Sequence, residues 1–245
     1  MKWQLLNTGF NNGLYNMQID TSLVSSVKSG EAYLRFYRWQ PYCISLGKHQ
    51  DFNDINLKLA KADGIDVVKR PTGGRAILHS EELTYSVILP ASSGYSSDQI
   101  YNFISAALMK GLIYFNAEFS KIETENLQPD FRKLYKQPES VLCFSSAARH
   151  EIKYKGKKLI GSAQRRMANG ILQHGSILVG PSHKSIVKYL MLNDEEQIKL
   201  RNEIDSKTTE ISTILNSEVD YDQLTEALIQ GFSEIWNINH LTKAV

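Results

Sequence analysis

The stretch Glu151-Ile152-Lys153-Tyr154-Lys155-Gly156-Lys157-Lys158-Leu159-Ile160-Gly161-Ser162-Ala163-Gln164 sets the architecture of this chain. Apolar Ile152 and Tyr154 alternate with Lys153 and Lys155, Gly156 supplies a turn, and Leu159-Ile160 resume the run. That pattern predicts an antiparallel hairpin. Gly170 separates it from a third apolar segment, Ile171 to Val179. Strands that follow one another without a helical crossover argue for an α+β fold rather than a parallel doubly wound sheet.

Upstream, short strands alternate with helices. Ala32 to Trp39, Ile65 to Lys69 and Leu83 to Leu89 read as strands, the last halted by Pro90. Leu14, Met17, Leu23, Val24 and Val27 lie near helical spacing, with Gly30 closing the segment. Asp54 to Asp63 reads as a short helix with Ile55, Leu59 and Ala62 inward and Gly64 at its end. Ser97-Asp98 open the clearest helix, whose stripe is Ile100, Phe103, Ile104, Ala107, Leu108 and Leu112. Residues 124–142, with Pro129 and Pro138, read as irregular. The last quarter is helical, with Val187, Leu190 and Met191 in one segment and Leu224, Leu228, Phe232, Ile235 and Trp236 in another. No linker or repeat interrupts the chain, so a single domain over 1–245 is expected.

The 245 residues are 42% hydrophobic and 22% charged with a net charge of +2. These values are ordinary for a soluble globular protein and argue against wholesale nucleic-acid binding. The N-terminus turns polar too soon for a signal peptide, and nothing later is apolar enough to span a membrane. Cys43 and Cys143 are the only cysteines. They form neither a disulfide framework nor a CxxC metal site, and point to a reducing cytoplasm.

Four segments carry candidate chemistry. In Arg70-Pro71-Thr72-Gly73-Gly74-Arg75, a strand runs into glycines that let backbone approach a ligand, although the same residues make a plain turn. In Lys158-Leu159-Ile160-Gly161-Ser162-Ala163, small residues open space beside backbone and Lys158 offers a fixed cation. A solvated basic hairpin is the alternative there, kept for Lys153 and Lys155. Cys143 follows an irregular stretch and precedes a strand, where a free thiol is either a nucleophile or a small apolar residue. Cys43, set among apolar residues, reads as buried. His174 and His79 are each a possible base, although a strand histidine satisfied by backbone is the commoner case, and neither has metal-ligand spacing to another histidine.

Taken in order, several motifs resemble the lipoate-protein ligase and octanoyltransferase family. They are Arg35-Phe-Tyr-Arg-Trp39, Ser45-Leu-Gly47, Arg70-Pro-Thr-Gly-Gly-Arg-Ala76, Leu83-Thr-Tyr-Ser86, Lys158-Leu-Ile-Gly-Ser-Ala-Gln164 and Leu172-Gln-His-Gly-Ser-Ile-Leu178. The resemblance covers roughly residues 17–179. It implies a fold like the biotin protein ligases and class II aminoacyl-tRNA synthetases, a mixed and mostly antiparallel sheet flanked by helices. Within the family the chain most resembles the LipM-type octanoyltransferases, through Cys143-Phe144 upstream of Lys158.

That resemblance implies that Cys143 carries an acyl-thioester and that Lys158 lowers its pKa. It places Arg70, Gly73, Gly74, His79, Gly161, Ser162 and Ala163 around the substrate. Backbone N–H groups near Gly73-Gly74 or Gly161-Ser162 are candidates for an oxyanion site. The implied donor is octanoyl-acyl carrier protein, and the acceptor is a lysine of a lipoyl-domain protein (glycine cleavage H protein or a 2-oxoacid dehydrogenase E2 subunit). No cofactor is implied. Arg75 and Leu83-Thr84 stand where ATP-using ligases show a third glycine and a Gly-Asn pair. The rival readings are an ATP-dependent lipoate ligase subunit, an amidotransferase between lipoyl proteins, and a non-catalytic binding protein on the same scaffold.

Overall fold

The computed structural model describes residues 1–124 and 151–243. The expectations placed on residues 125–150, Cys143 and most of the irregular stretch among them, lie outside the described residues.

The main sheet is built from β1 (Lys2–Asn11), β2 (Glu31–Trp39), β6 (Glu82–Pro90), β7 (Ile122–Thr124), β8 (Ile152–Tyr154), β9 (Lys157–Arg166), β10 (Gly170–Leu178) and β11 (Leu241–Lys243). Across the sheet their order is β11-β1-β2-β6-β10-β9-β8-β7. β1 runs parallel to β2 and β11, and every pairing from β2 through β7 is antiparallel. A second sheet places β3 (Cys43–Leu46) between β4 (Asp66–Lys69), parallel, and β5 (Ile77–His79), antiparallel. The sheets are thus mixed and mostly antiparallel, as the hairpin reading requires. Every residue of β6 and β10 is buried. This explains why their sequences mix branched apolar residues with small hydroxyls rather than alternating with charges.

One face of the main sheet packs on α3 (Ser97–Phe115) and the helix Tyr221–Ile235. Ser96 caps α3 through a reciprocal capping box with Gln99, satisfying two backbone donors at the helix start. The buried stripe is Ile100, Ile104, Ala107, Leu108 and Leu112, and Phe103 is instead part-exposed against Tyr95 and Trp236. The two helices cross with backbones in contact. A Cβ on Gly231 would lie 2.4 Å from the Ala107 carbonyl oxygen, and one on Gly111 2.7 Å from the Leu228 Cα.

The second core joins β3 and β5 to α2 (Leu57–Ala62), the 3-10 segment Pro181–Tyr189 and the helix Asp194–Lys207. Three local expectations shift here. Asn56 caps α2, so the helix starts later and Ala60, not Ala62, points inward. Pro181 starts tight 3-10 turns in place of an α-helix, and Met191 is exposed. The helix α1 (Gly13–Ser26) ends before Val27 with Leu14 exposed, and Gly30 sits in the next turn with φ +81°.

α1 lies over the junction of the two sheets. Its buried face holds Gly13, Asn16, Met17, Asp20 and Val24, two of them polar. A polar face on a buried helix side needs partners: Asn16 bonds Arg35 and the carbonyls of Asn11 and Arg38, and Asp20 bonds Arg35, Ser86 and, from the cavity wall described next, Tyr37 and His174.

Candidate active site

A small cavity of about 30 Å³ opens between α1, the small sheet and the central strands β2, β6, β9 and β10. Met17, Tyr37, Trp39 and Ile77 give it apolar walls. Five of the residues expected around substrate line it: Arg70, His79, Gly161, Ser162 and Ala163. His174 joins them from β10.

Gly73 and Gly74 belong to the loop beside the cavity rather than to its wall. Gly74 has φ +93°, a conformation glycine adopts without steric cost. Gly73 is not in that region, and a Cβ there would meet nothing within 4 Å. Arg70 ties the loop from within. Its Nη2 donates to the carbonyls of Gly73 (3.0 Å) and Arg75 (2.7 Å), and its Nη1 to Ser45 O (2.9 Å) and Oγ (3.1 Å). Arg165 of β9 holds the same loop through the Pro71 carbonyl at 2.7 Å.

Two carboxylate–histidine–hydroxyl chains end at the cavity. In the first, Asp20 Oδ2 faces His174 Nδ1 at 3.2 Å and His174 Nε2 faces Thr72 Oγ1 at 2.7 Å. Arg35 Nη1 (2.8 Å), Tyr37 OH (3.1 Å) and Ser86 Oγ (2.9 Å) also donate to Asp20. Burial works to raise the Asp20 pKa. The hydrogen bond with His174 and the Arg35 guanidinium outweigh it and hold the carboxyl below its ordinary range. Burial lowers the pKa of His174, against the pull of Asp20. The imidazole is therefore neutral at pH 7, and the fixed charge that keeps Asp20 ionised is Arg35.

In the second chain, His79 Nδ1 lies 2.8 Å from Glu82 Oε1 and His79 Nε2 lies 2.7 Å from Ser45 Oγ. Thr84 (2.5 Å) and Ser176 (2.8 Å) donate to the same Glu82 oxygen, and Trp39 Nε1 donates to Thr84 Oγ1 at 2.7 Å. Burial acts to raise the Glu82 pKa, but His79 and these hydroxyls reverse the sign and lower it. The His79 ring stacks on Trp39 with centroids 4.0 Å apart.

Lys158 does not line the cavity. It is buried three residues up β9 from Gly161, about 10 Å along an extended strand, with its Nζ 2.5 Å from Glu151. Cys143 lies outside the described residues. Cys43 is buried among Met17, Tyr37 and Trp39, and burial holds its thiol well above the usual range, as expected of an inert cysteine.

Sequence reasoning missed Asp20, Arg35, Ser45, Glu82 and Thr84. A signal existed for Asp20. It falls three residues after Met17 and four before Val24, so it is an acid on the inward stripe of a helix. His174 is satisfied by side chains rather than by backbone. Among the described residues no group of His, Cys, Asp or Glu is placed to hold a metal, and no helix is long and apolar enough to cross a membrane.

Comparison with known proteins identifies the family of the chain. The family model of the lipoyl protein ligase A/B catalytic domain matches residues 12–233. The chain is 35% identical over 242 residues to octanoyltransferase LipM of Macrococcus caseolyticus, covering 95% of this chain and 86% of that protein. It is 34% identical over 245 residues to octanoyltransferase LipM of Staphylococcus aureus, covering 96% and 87%. Among solved structures, the bipartite lipoate protein ligase of Thermoplasma acidophilum superposes with a TM-score of 0.78 at 20% identity, covering 100% of this chain and 88% of that one. At that identity the likeness speaks for the fold. The chain belongs to the lipoyl protein ligase A/B catalytic-domain family, and its relatives within that family are octanoyltransferases of the LipM type.

Proposed function

We propose that residues 1–245 act as one octanoyltransferase domain that moves octanoyl from an acyl carrier protein to a lysine of a lipoyl-domain protein, through a thioester on Cys143. The observation that carries this reading is the coincidence of cavity and motifs. In a chain about 34% identical to LipM octanoyltransferases, the stretches at 35–39, 45–47, 70–76, 83–86, 158–164 and 172–178 converge on one apolar cavity with a polar wall.

A carrier thioester is already activated, so the reaction runs without a nucleotide. The Cys143 thiolate adds to the acyl carbonyl and the carrier thiol leaves. The acceptor amine then adds to the new thioester and Cys143 leaves. Lys158 is a buried cation on the strand that leads into the cavity, and its charge favours the thiolate.

Intact-mass measurement after mixing the protein with octanoyl-carrier protein, without ATP, tests the reading. A gain of one octanoyl group, removed by hydroxylamine and absent in Cys143→Ala, is expected. No gain, together with ATP-dependent capture of free lipoate, would make the chain a ligase.

A further inference from the structure

An acyl-transferase must do one thing that Cys143 and Lys158 do not supply. The acceptor lysine arrives as an ammonium, with an ordinary pKa of about 10.4, so at pH 7 only about one molecule in 2,500 is neutral and able to attack. Something beside the acyl carbonyl has to take that proton.

The cavity wall holds a group built for it. Ionised Glu82 only accepts hydrogen bonds, so the His79 nitrogen facing it, Nδ1, carries the proton. Nε2 is then the acceptor, and the Ser45 hydroxyl donates to it at 2.7 Å. Ser45 Oγ in turn accepts from Arg70 Nη1 at 3.1 Å. The order hydroxyl, imidazole, carboxylate is the order that moves a proton away from a hydroxyl at a reacting centre. Stacking on Trp39 and the Thr84 and Ser176 bonds to Glu82 fix the ring and its partner. Ser45, His79 and Thr84 all line the cavity.

We propose that Ser45, His79 and Glu82 form a proton relay that deprotonates the acceptor lysine in the second half of the transfer. The inference rests on the reading of Cys143 as the acyl carrier. The ammonium donates to Ser45 Oγ as the serine proton passes to His79 Nε2, and Glu82 holds the resulting imidazolium. The neutral amine adds to the thioester carbonyl, a C–N bond forms and the C–S bond breaks. The second amine proton follows the departing sulfur, so Cys143 returns as a thiol. His79 releases its proton to solvent, and nothing is oxidised or reduced. The titratable and charged groups around the relay are Glu82 on β6, Arg70 after β4, His174 on β10, Tyr37 on β2 and Cys43 opposite His79 on β3.

The test compares two amines on octanoyl-loaded enzyme between pH 6 and 9.5. One is the lysine of a purified lipoyl domain, and the other is hydroxylamine, which is neutral at pH 7 and needs no base. In Ser45→Ala and His79→Gln the ratio of lysine rate to hydroxylamine rate should fall at least about tenfold at pH 7. General-base contributions run to about 10²–10⁴. The ratio should recover toward wild type as the pH approaches the lysine pKa. A merely damaged cavity slows both amines alike, so an unchanged ratio at every pH overturns the relay. If wild-type enzyme shows no octanoyl on Cys143 by mass, it is the nucleophile reading that fails. The relay is then read from the pH profile of direct transfer, where variant profiles parallel to wild type overturn it.

Discussion

Gly47 and Gly74 touch. A Cβ on Gly47 would lie 1.9 Å from the Gly74 carbonyl oxygen, and the Lys48 N–H donates to the Thr72 carbonyl at 2.9 Å. The Ser-Leu-Gly stretch and the Thr-Gly-Gly loop are therefore two halves of one contact, with Arg70 bonded to both. Gly47→Ala should force the 70–75 loop away from the cavity, lowering transfer at least about tenfold and stability by about 1–3 kcal/mol, the usual cost of overpacking. Gly73→Ala, with open space at its Cβ, should change stability by no more than about 0.5 kcal/mol. Urea midpoints of the two variants separate the cases, and equal midpoints would refute the contact.

Lys158 and Glu151 form a buried pair, which complicates any test of Lys158 in catalysis. Lys158→Met leaves a buried carboxylate without this partner and should cost about 3–5 kcal/mol. The double variant Lys158→Met/Glu151→Leu should recover most of that stability. Thiol alkylation of Cys143 at pH 7 in the double variant then reports the lysine's effect on the sulfur. Alkylation as fast as in wild type would remove Lys158 from thiolate stabilisation.

Acid should destabilise the fold in two stages. Burial lowers the pKa of His174 and His183 in the folded state, so the unfolded chain binds those protons first. Their contribution is complete above about pH 6.5 and is lost as pH falls below it. Asp20 and Glu82 have folded pKa values below their ordinary ones, so their contribution is complete above about pH 4.5 and is lost as pH falls further. The Tm should be level near pH 7–8, decline below 6.5 as the stability falls by up to about 1.4 kcal/mol per pH unit for each histidine, and steepen in the carboxylate range. A Tm that stays level from pH 7 to 5 would contradict the burial of neutral imidazoles.

Gly231 offers a control remote from the site. Its missing Cβ lets the helix Tyr221–Ile235 meet α3 at the Ala107 carbonyl. Gly231→Val should destabilise by at least about 2 kcal/mol, seen as a lower urea midpoint, while the remaining folded enzyme turns over at the wild-type rate. A matching loss of kcat at 10 °C would tie this crossing to the cavity.

The architecture was legible because it rests on periodicity. Ile152, Tyr154 and Gly156 specify a hairpin by local rules, and the stripe from Ile100 to Leu112 specifies a helix. The cavity wall was legible only where glycines or basic residues marked it, as at Arg70 and Gly161. Ser45, Glu82 and Thr84 were not, because small hydroxyls and a single acid at strand ends look like ordinary sheet residues. Ser45 meets His79 only through the β3–β5 pairing, and the contacts of Glu82 with His79 and Thr84 depend on how the chain turns from one sheet into the other, which no periodicity encodes. Local geometry also moved α2, since the Asn56 cap, not the first apolar residue, decides where the helix starts.

The cavity draws its wall from positions as far apart in the chain as Met17 and Ser176. No fragment or half-formed intermediate contains it, so under the proposed function affinity for an acyl group arises only when the long-range pairings are complete. Occupancy is thereby linked to the whole folding equilibrium. An acyl chain held at 100 times its Kd would add about 2.7 kcal/mol to global stability. The loaded enzyme would accordingly be the form most resistant to proteolysis, and a damaged chain would fail to hold an acyl group before it failed to collapse.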